Sequence, residues 1–158
     1  MKNILLLATV VLAFASCSKS DDDNNLPSSD YKLSADGLTL VQWTNSTTTT
    51  LDMQADSKLQ RVNTIGFEAF KGSNLTSIVF PNSLKEIGDE AFSRTKLTGG
   101  VKFNTASNVV FGKEAFYFSD IESVQLPYTT EISRSMFSNC YHLKEVTFGK
   151  VGVISNGA

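Results

Sequence analysis

Ile65-Gly66-Phe67-Glu68-Ala69-Phe70 is a phrase that the chain repeats. It returns as Ile87-Gly88-Asp89-Glu90-Ala91-Phe92, as Phe111-Gly112-Lys113-Glu114-Ala115-Phe116 and as Ile132-Ser133-Arg134-Ser135-Met136-Phe137. A last copy, Ile154-Ser155-Asn156-Gly157-Ala158, is cut short. The interval is roughly 21–24 residues, inside the window of solenoid repeats. A unit of that size cannot bury its own apolar face, so it must stack on its neighbours. Stacked repeats present long surfaces more readily than closed catalytic pockets.

Between the phrases the rhythm changes. Leu75-Thr76-Ser77-Ile78-Val79-Phe80-Pro81 is echoed by Leu97 through Phe103, by Ile121 through Pro127 and by Leu143 through Phe148. The pairs Ile78/Phe80, Val101/Phe103, Val124/Leu126 and Val146/Phe148 alternate with polar or small neighbours, the pattern of a short half-buried strand. Pro81 and Pro127 are expected to end these strands, because proline donates nothing to a ladder. A second short apolar stretch precedes each phrase. The Glu-Ala-Phe segment fits one helical turn that drops Ala and Phe inward. Ser73, Thr95, Ser119 and Cys140 each follow a Phe by three residues and form a small-residue column suited to a tight bend.

The recurring I-G-x-x-A-F followed by L-x-x-I-x-F-P resembles the BspA-like subclass of leucine-rich repeats, known from surface proteins of bacteria and some parasites. The resemblance spans about residues 59–158. It implies a β-rich solenoid of short strands and single helical turns, and a role in adhesion or recognition with no uniform ligand. Phe111 in place of Ile, Asn108 in place of an apolar residue, Ser133 in place of Gly and Met136 in place of Ala depart from the pattern.

The chain opens with Lys2 and an apolar run from Ile4 to Ala15, too short to span a bilayer and suited to a signal-peptide core. Phe14-Ala15-Ser16-Cys17 resembles the lipobox of bacterial lipoproteins, which implies a signal peptide over 1–16 and a diacylglycerol on Cys17; an ordinary secretory signal with a chance cysteine is the alternative. Asp21-Asp22-Asp23 resembles the export signal that carries lipoproteins of the Bacteroidetes to the outer face of the outer membrane. It reads equally as part of a solvated acidic tether over 17–30. The implied location is the cell surface, with a lipid anchor and no transmembrane helix.

Residues 31–58 differ in rhythm and are placed to cap the solenoid, which spans 59–158 as about four repeats and a fifth cut short. Tyr31 through Trp43 reads as two strands around an Asp36-Gly37 turn. Residues 47–53 read as a third strand, with a flexible loop as the other reading of the threonine run. Trp43, the one tryptophan, reads as cap core, with a sugar-stacking role as the alternative. At the other end the chain stops where the next Phe is due and no cap follows. The expectations are a truncated longer product or an end covered by another molecule, and self-association through that uncapped C-terminal end.

Chemistry is sparse. Fourteen Lys and Arg against sixteen Asp and Glu leave a net charge of −2, which gives no electrostatic case for nucleic acid. His142 is the one histidine, so neither a multi-histidine metal site nor a His relay can be built. Cys140 and His142 lack an evident third group. Glu68, Glu90 and Glu114 share one repeat column and read as a solvated edge rather than an acid–base pair. No phosphate-cradling glycine loop is evident. No catalytic residue, cofactor or metal is assigned.

What remains is surface. With Ile78 and Phe80 inward, Val79 points outward, and Lys102, Gln125 and Thr147 follow it in later repeats. Glu122 and Lys144 flank them. This stripe is the candidate ligand face, with a plain soluble face as the bland alternative. Tyr117 and Phe118 stand where other repeats place Lys71-Gly72 and Ser93-Arg94. With Tyr141 they form a candidate aromatic ridge, or else pack beneath the neighbouring turn. The leading function is a non-catalytic surface lipoprotein that binds a host or matrix protein. A glycan-binding accessory lipoprotein of a nutrient uptake system is the second, favoured if the aromatics form a flat platform.

Overall fold

The computed structural model describes residues 25–99, 101–104 and 108–157. They form a β-solenoid of about five turns with two sheets and almost no helix. The first sheet runs in the order β1 (Tyr31–Leu33), β2 (Thr39–Trp43), β4 (Thr64–Ile65), β6 (Glu86–Ile87) and β8 (Val110–Phe111). The second contains β3 (Thr50–Asp52), β5 (Ser77–Val79), β7 (Val101–Lys102), β9 (Ser123–Ile132) and β10 (Glu145–Ile154). β1 and β2 make the antiparallel hairpin around Asp36-Gly37, with Gly37 at φ 72°. Every other pairing is parallel, as a repeat coiling in one direction requires. The threonine run feeds β3, which pairs with β5 and so heads the second sheet.

Both sheets turn one apolar column inward. Leu40, Ile65, Ile87 and Phe111 are in register across the first sheet and are buried. Leu51, Ile78, Val101 and Val124 do the same in the second. The phenylalanine that ends each phrase adds a spine between them. Phe70, Phe92, Phe116 and Phe137 stack with centroids 4.9, 5.4 and 5.6 Å apart and planes within 14°. Trp43 continues the spine at its N-terminal end, 5.7 Å from Phe70, and lies parallel to Tyr31 at 6.5 Å. Its indole is in the core.

The phrase is not a helical turn. Glu68, Glu90, Glu114 and Ser135 have φ between 52° and 56°, in the left-handed region. Four residues later Gly72, Arg94, Phe118 and Asn139 return to it, at 56–68°. Tight turns alternate in hand, and the backbone faces along the solenoid axis. Glu68, Phe70 and Gly72 donate their N–H groups to the carbonyls of Asp89, Ala91 and Ser93 at 3.1, 2.8 and 2.9 Å. Glu90, Phe92 and Arg94 repeat this with Lys113, Ala115 and Tyr117. A helix would satisfy these groups internally; here they form a third ladder between repeats.

Pro127 does not end its strand either. β9 runs through it to Ile132, and β10 runs to Ile154 beside it. The reason is length. From Phe80 to Ile87 the chain has seven steps, but from Leu126 to Ile132, and from Phe148 to Ile154, it has six. The slack that lets the earlier repeats turn at Pro81 is gone, so the two half-strands merge. Gly149, which falls between the Leu126–Phe148 and Tyr128–Lys150 pairs, stands opposite the proline in β10.

The cap is held by one buried carboxylate. Asp56 accepts from the backbone N–H of Leu26 at 2.8 Å, of Lys58 at 2.8 Å and of Leu59 at 2.9 Å, fixing the single 3-10 turn Leu59–Arg61. The Tyr31 hydroxyl donates to the same group at 3.2 Å. Burial, then the Asp56 charge and hydrogen bond, push the Tyr31 pKa up to about 12. The fold therefore favours the neutral phenol. That stability is complete below pH 10, the unfolded value, and disappears as pH rises through about 12. Thermal melts between pH 9 and 12 are expected to show this loss and Tyr31→Phe to flatten it. An identical alkaline slope in the variant would contradict the assignment.

Candidate interaction surface

Each turn delivers one outward residue to the middle of the second sheet. Asp52, Val79, Lys102, Gln125 and Thr147 are consecutive register partners and form one continuous stripe. Lys102, Gln125 and Thr147 are exposed and Val79 is half-buried. Beside the stripe Lys144 Nζ donates to Glu122 Oε2 at 2.9 Å, and that hydrogen bond, with the lysine charge, holds the Glu122 carboxyl below its usual range. The stripe is polar and of mixed charge. It supplies hydrogen-bonding groups but little apolar anchor.

The aromatic ridge lies on the turn ladder. Phe118 is 43% exposed and Tyr141 is 76% exposed. Their rings meet edge-on at 5.8 Å and 85°, while Tyr117 lies 6.0 Å from Phe118 at 49°. The Arg94 guanidinium sits over the Phe118 ring at 5.2 Å, within cation–π range. The Tyr141 hydroxyl donates to Asn139 Oδ1 at 3.2 Å. The structure thus brings the three aromatics together from two successive turns and adds Arg94. Tyr117 is the half-buried base of the cluster.

Phe118 occupies a place that few bulky residues tolerate. At φ 56° its backbone is left-handed, as it is at Gly72, Arg94 and Asn139 in the other repeats. A Cβ there crowds the following carbonyl at about 1–2 kcal/mol. An aromatic residue in this conformation marks strain at an exposed position.

The groups with catalytic character are otherwise engaged. The Cys140 thiol donates to the Phe116 carbonyl at 2.9 Å and lies 3.5 Å from Ser119 Oγ, so it belongs to the small-residue column. His142 Nε2 is 4.0 Å from Asp120 Oδ1 on the surface. Lys71 bridges Glu68 at 2.5 Å and Glu90 at 2.6 Å, and these hydrogen bonds hold its own pKa above the usual lysine value. Two of the three repeated glutamates therefore share one ammonium. Among the described residues no group of three His, Cys, Asp or Glu could hold a metal, and no helix is long and apolar enough to cross a membrane.

Several exposed apolar residues escaped the sequence reading, among them Phe67 and Val110, and Phe148, expected to point inward in its strand, is exposed too. Phe67, in the turn after β4, is 64% exposed, and Val110, in β8, is 50% exposed. Phe67 lies inside the repeated phrase, at its variable third place, and only the charged residues found there in later copies distinguish it. The expected signal peptide, Cys17 and Asp21, Asp22 and Asp23 lie outside the described residues.

A family model described as the BspA-type leucine-rich repeat region matches residues 45–158 in six copies. Its first copy thus takes in β3, upstream of the phrase. A leucine-rich repeat protein from Bacteroides capillosus superposes with a TM-score of 0.62 at 24% identity, over 80% of this chain and 99% of that one. At that identity the likeness extends to the fold alone. A leucine-rich cell surface protein from Faecalibacterium prausnitzii gives a TM-score of 0.47 at 23% identity, covering 78% of this chain and 42% of that one. A leucine-rich repeat protein from T. pallidum gives 0.46 at 16%, covering 82% and 86%. No curated protein matches the chain.

Proposed function

The chain belongs to the BspA-type leucine-rich repeat family, and from that premise we propose that it is a non-catalytic, surface-displayed module that captures a protein partner. The rim of Phe118, Tyr141 and Arg94 supplies the anchor, and the stripe Val79, Lys102, Gln125 and Thr147 supplies polar contacts. The observation that carries this reading is the exposed cluster itself: Phe118 and Tyr141 meet edge-on at 5.8 Å on the surface, with the Arg94 guanidinium 5.2 Å from the Phe118 ring. Aromatic and arginine side chains are the residue types that dominate binding interfaces. Adhesion to a host or matrix protein is the finer form of the proposal. Lipid anchoring at Cys17, export signalled by Asp21 to Asp23 and residence on the outer face of the outer membrane belong to it as well. They are supported by the leader and lipobox-like residues.

Glycan capture is the weaker reading. Sugar rings stack on flat aromatic platforms, and ring planes at 85° and 49° do not make one.

The test is Phe118→Gly. Relief of the left-handed strain is expected to raise stability by roughly 0.5–1 kcal/mol, after the lost ring contacts and added chain entropy are set against it. Binding to any immobilised extracellular-matrix protein that captures the wild-type chain is expected to fall at least tenfold. Unchanged capture, or capture abolished by soluble polysaccharide, would sink the proposal.

A further inference from the structure

The first sheet carries a trough of about 510 Å³, away from the aromatic rim. Its floor is Gly66, Gly88 and Gly112. A Cβ on Gly66 would stand 3.0 Å from the Leu40 carbonyl oxygen, and one on Gly88 3.1 Å from that of Ile65. One on Gly112 would overlap the Asp89 amide nitrogen. Packing between repeats therefore dictates the glycines, and a bare backbone floor is the result.

The sides of the trough break the repeat pattern. In later phrases the place of Phe67 is held by Asp89, Lys113 and Arg134. The place of Val110 is held by Thr64, Glu86 and Glu131, with Val153 at the last phrase. Apolar side chains thus stand at both ends of the trough, and the repeat between them contributes Glu86 and Asp89. Both carboxylates are exposed, and among the described residues neither forms an ion pair. Asp89 Oδ1 accepts the Lys113 backbone N–H at 2.8 Å.

We propose that this trough binds an extended protein segment carrying a lysine or arginine between two apolar side chains. Charge complementarity selects the occupant: two carboxylates with no ion-pair partner among the described residues face an open floor, with a phenyl ring and a valine on either side. Phe67 and Val110 belong to repeats two strands apart, roughly 10 Å, a distance within reach of an extended five-residue segment whose first, third and fifth side chains share one face. The apolar pair supplies burial, and the central cation sets register and excludes acidic segments. This site is separate from the Phe118 rim.

The experiment uses the ¹⁵N-labelled full chain and two probes, the peptides Ac-Leu-Ala-Arg-Ala-Leu-NH2 and Ac-Leu-Ala-Glu-Ala-Leu-NH2, whose first, third and fifth side chains share one face of an extended chain. The arginine peptide is expected to shift the amide signals of Gly66, Gly88 and Gly112 saturably, and the glutamate peptide to bind at least tenfold more weakly. The double variant Glu86→Gln, Asp89→Asn keeps shape and the Lys113 acceptor and is expected to lower arginine-peptide affinity at least tenfold with an unchanged melting midpoint. Phe118→Gly should leave that affinity intact, which separates this site from the proposed rim. No saturable shift at the three glycines overturns the inference, as does an equal response to both peptides. Shifts of the same amides on raising protein concentration alone would assign the trough to a second copy and overturn it too.

Discussion

Phe92→Ala is expected to lower the stability of the folded chain by about 4 kcal/mol, the range for emptying a fully buried phenylalanine site. Phe92 is completely buried and has three aromatic neighbours: Phe70 at 4.9 Å, Phe116 at 5.4 Å and Phe80 edge-on at 5.5 Å. It sits mid-spine, so its loss weakens the interfaces on both sides at once. Repeat stability is close to a sum of such nearest-neighbour interfaces, and a small domain has about 5–15 kcal/mol in all. Phe137 is the control. It is half-buried and stacks on Phe116 alone, so Phe137→Ala should cost about half as much. Urea denaturation followed by far-ultraviolet circular dichroism measures both. Equal losses would mean that the spine does not couple the repeats.

Gly112→Ala comes next, at about 2 kcal/mol, the cost of overpacking a closed site. The added methyl meets backbone atoms of Gly88 and Asp89, which cannot rotate away as a side chain could. Repeats three and two must separate locally, and the ladder between β6 and β8 lies at that point. Gly37→Ala isolates the other reason for glycine. Nothing lies within 4 Å of a Cβ there, but φ is +72°, so its cost of about 1 kcal/mol is conformational alone. If Gly112→Ala proved harmless, the close approach of the repeats at the glycine column would be wrong.

The phrase I-G-x-x-A-F announces its own register because three of its places admit few residues. Ile fills the inward column, Gly permits contact with the preceding backbone, and Phe builds the spine. Those constraints are steric and leave a mark in the sequence. Ser133 is the informative exception, since its hydroxyl donates to the Phe111 carbonyl and so replaces close packing with a hydrogen bond. The left-handed turns leave no such mark. Glu68, Glu90 and Glu114 occupy φ > 0 although nothing about glutamate signals it, because the inter-repeat hydrogen bonds hold the backbone there from outside. Pro127 misleads for a related reason: a missing residue in the connection, not the proline, decides how far β9 runs. On the surface, Phe118 stood out because Gly72 and Arg94 hold its place in the earlier repeats, and Phe67 did not because it shares a phrase with the residues that define the fold.

The turn ladder has a mechanical consequence. All three hydrogen-bond ladders point along the same axis, so a pull on the two chain ends strips terminal turns one after another at modest force. A load directed across the axis would strain many of those bonds together and meet far greater resistance. The molecule is thus soft in tension along its length and stiff in shear, like a stack of coins held by glue between the faces.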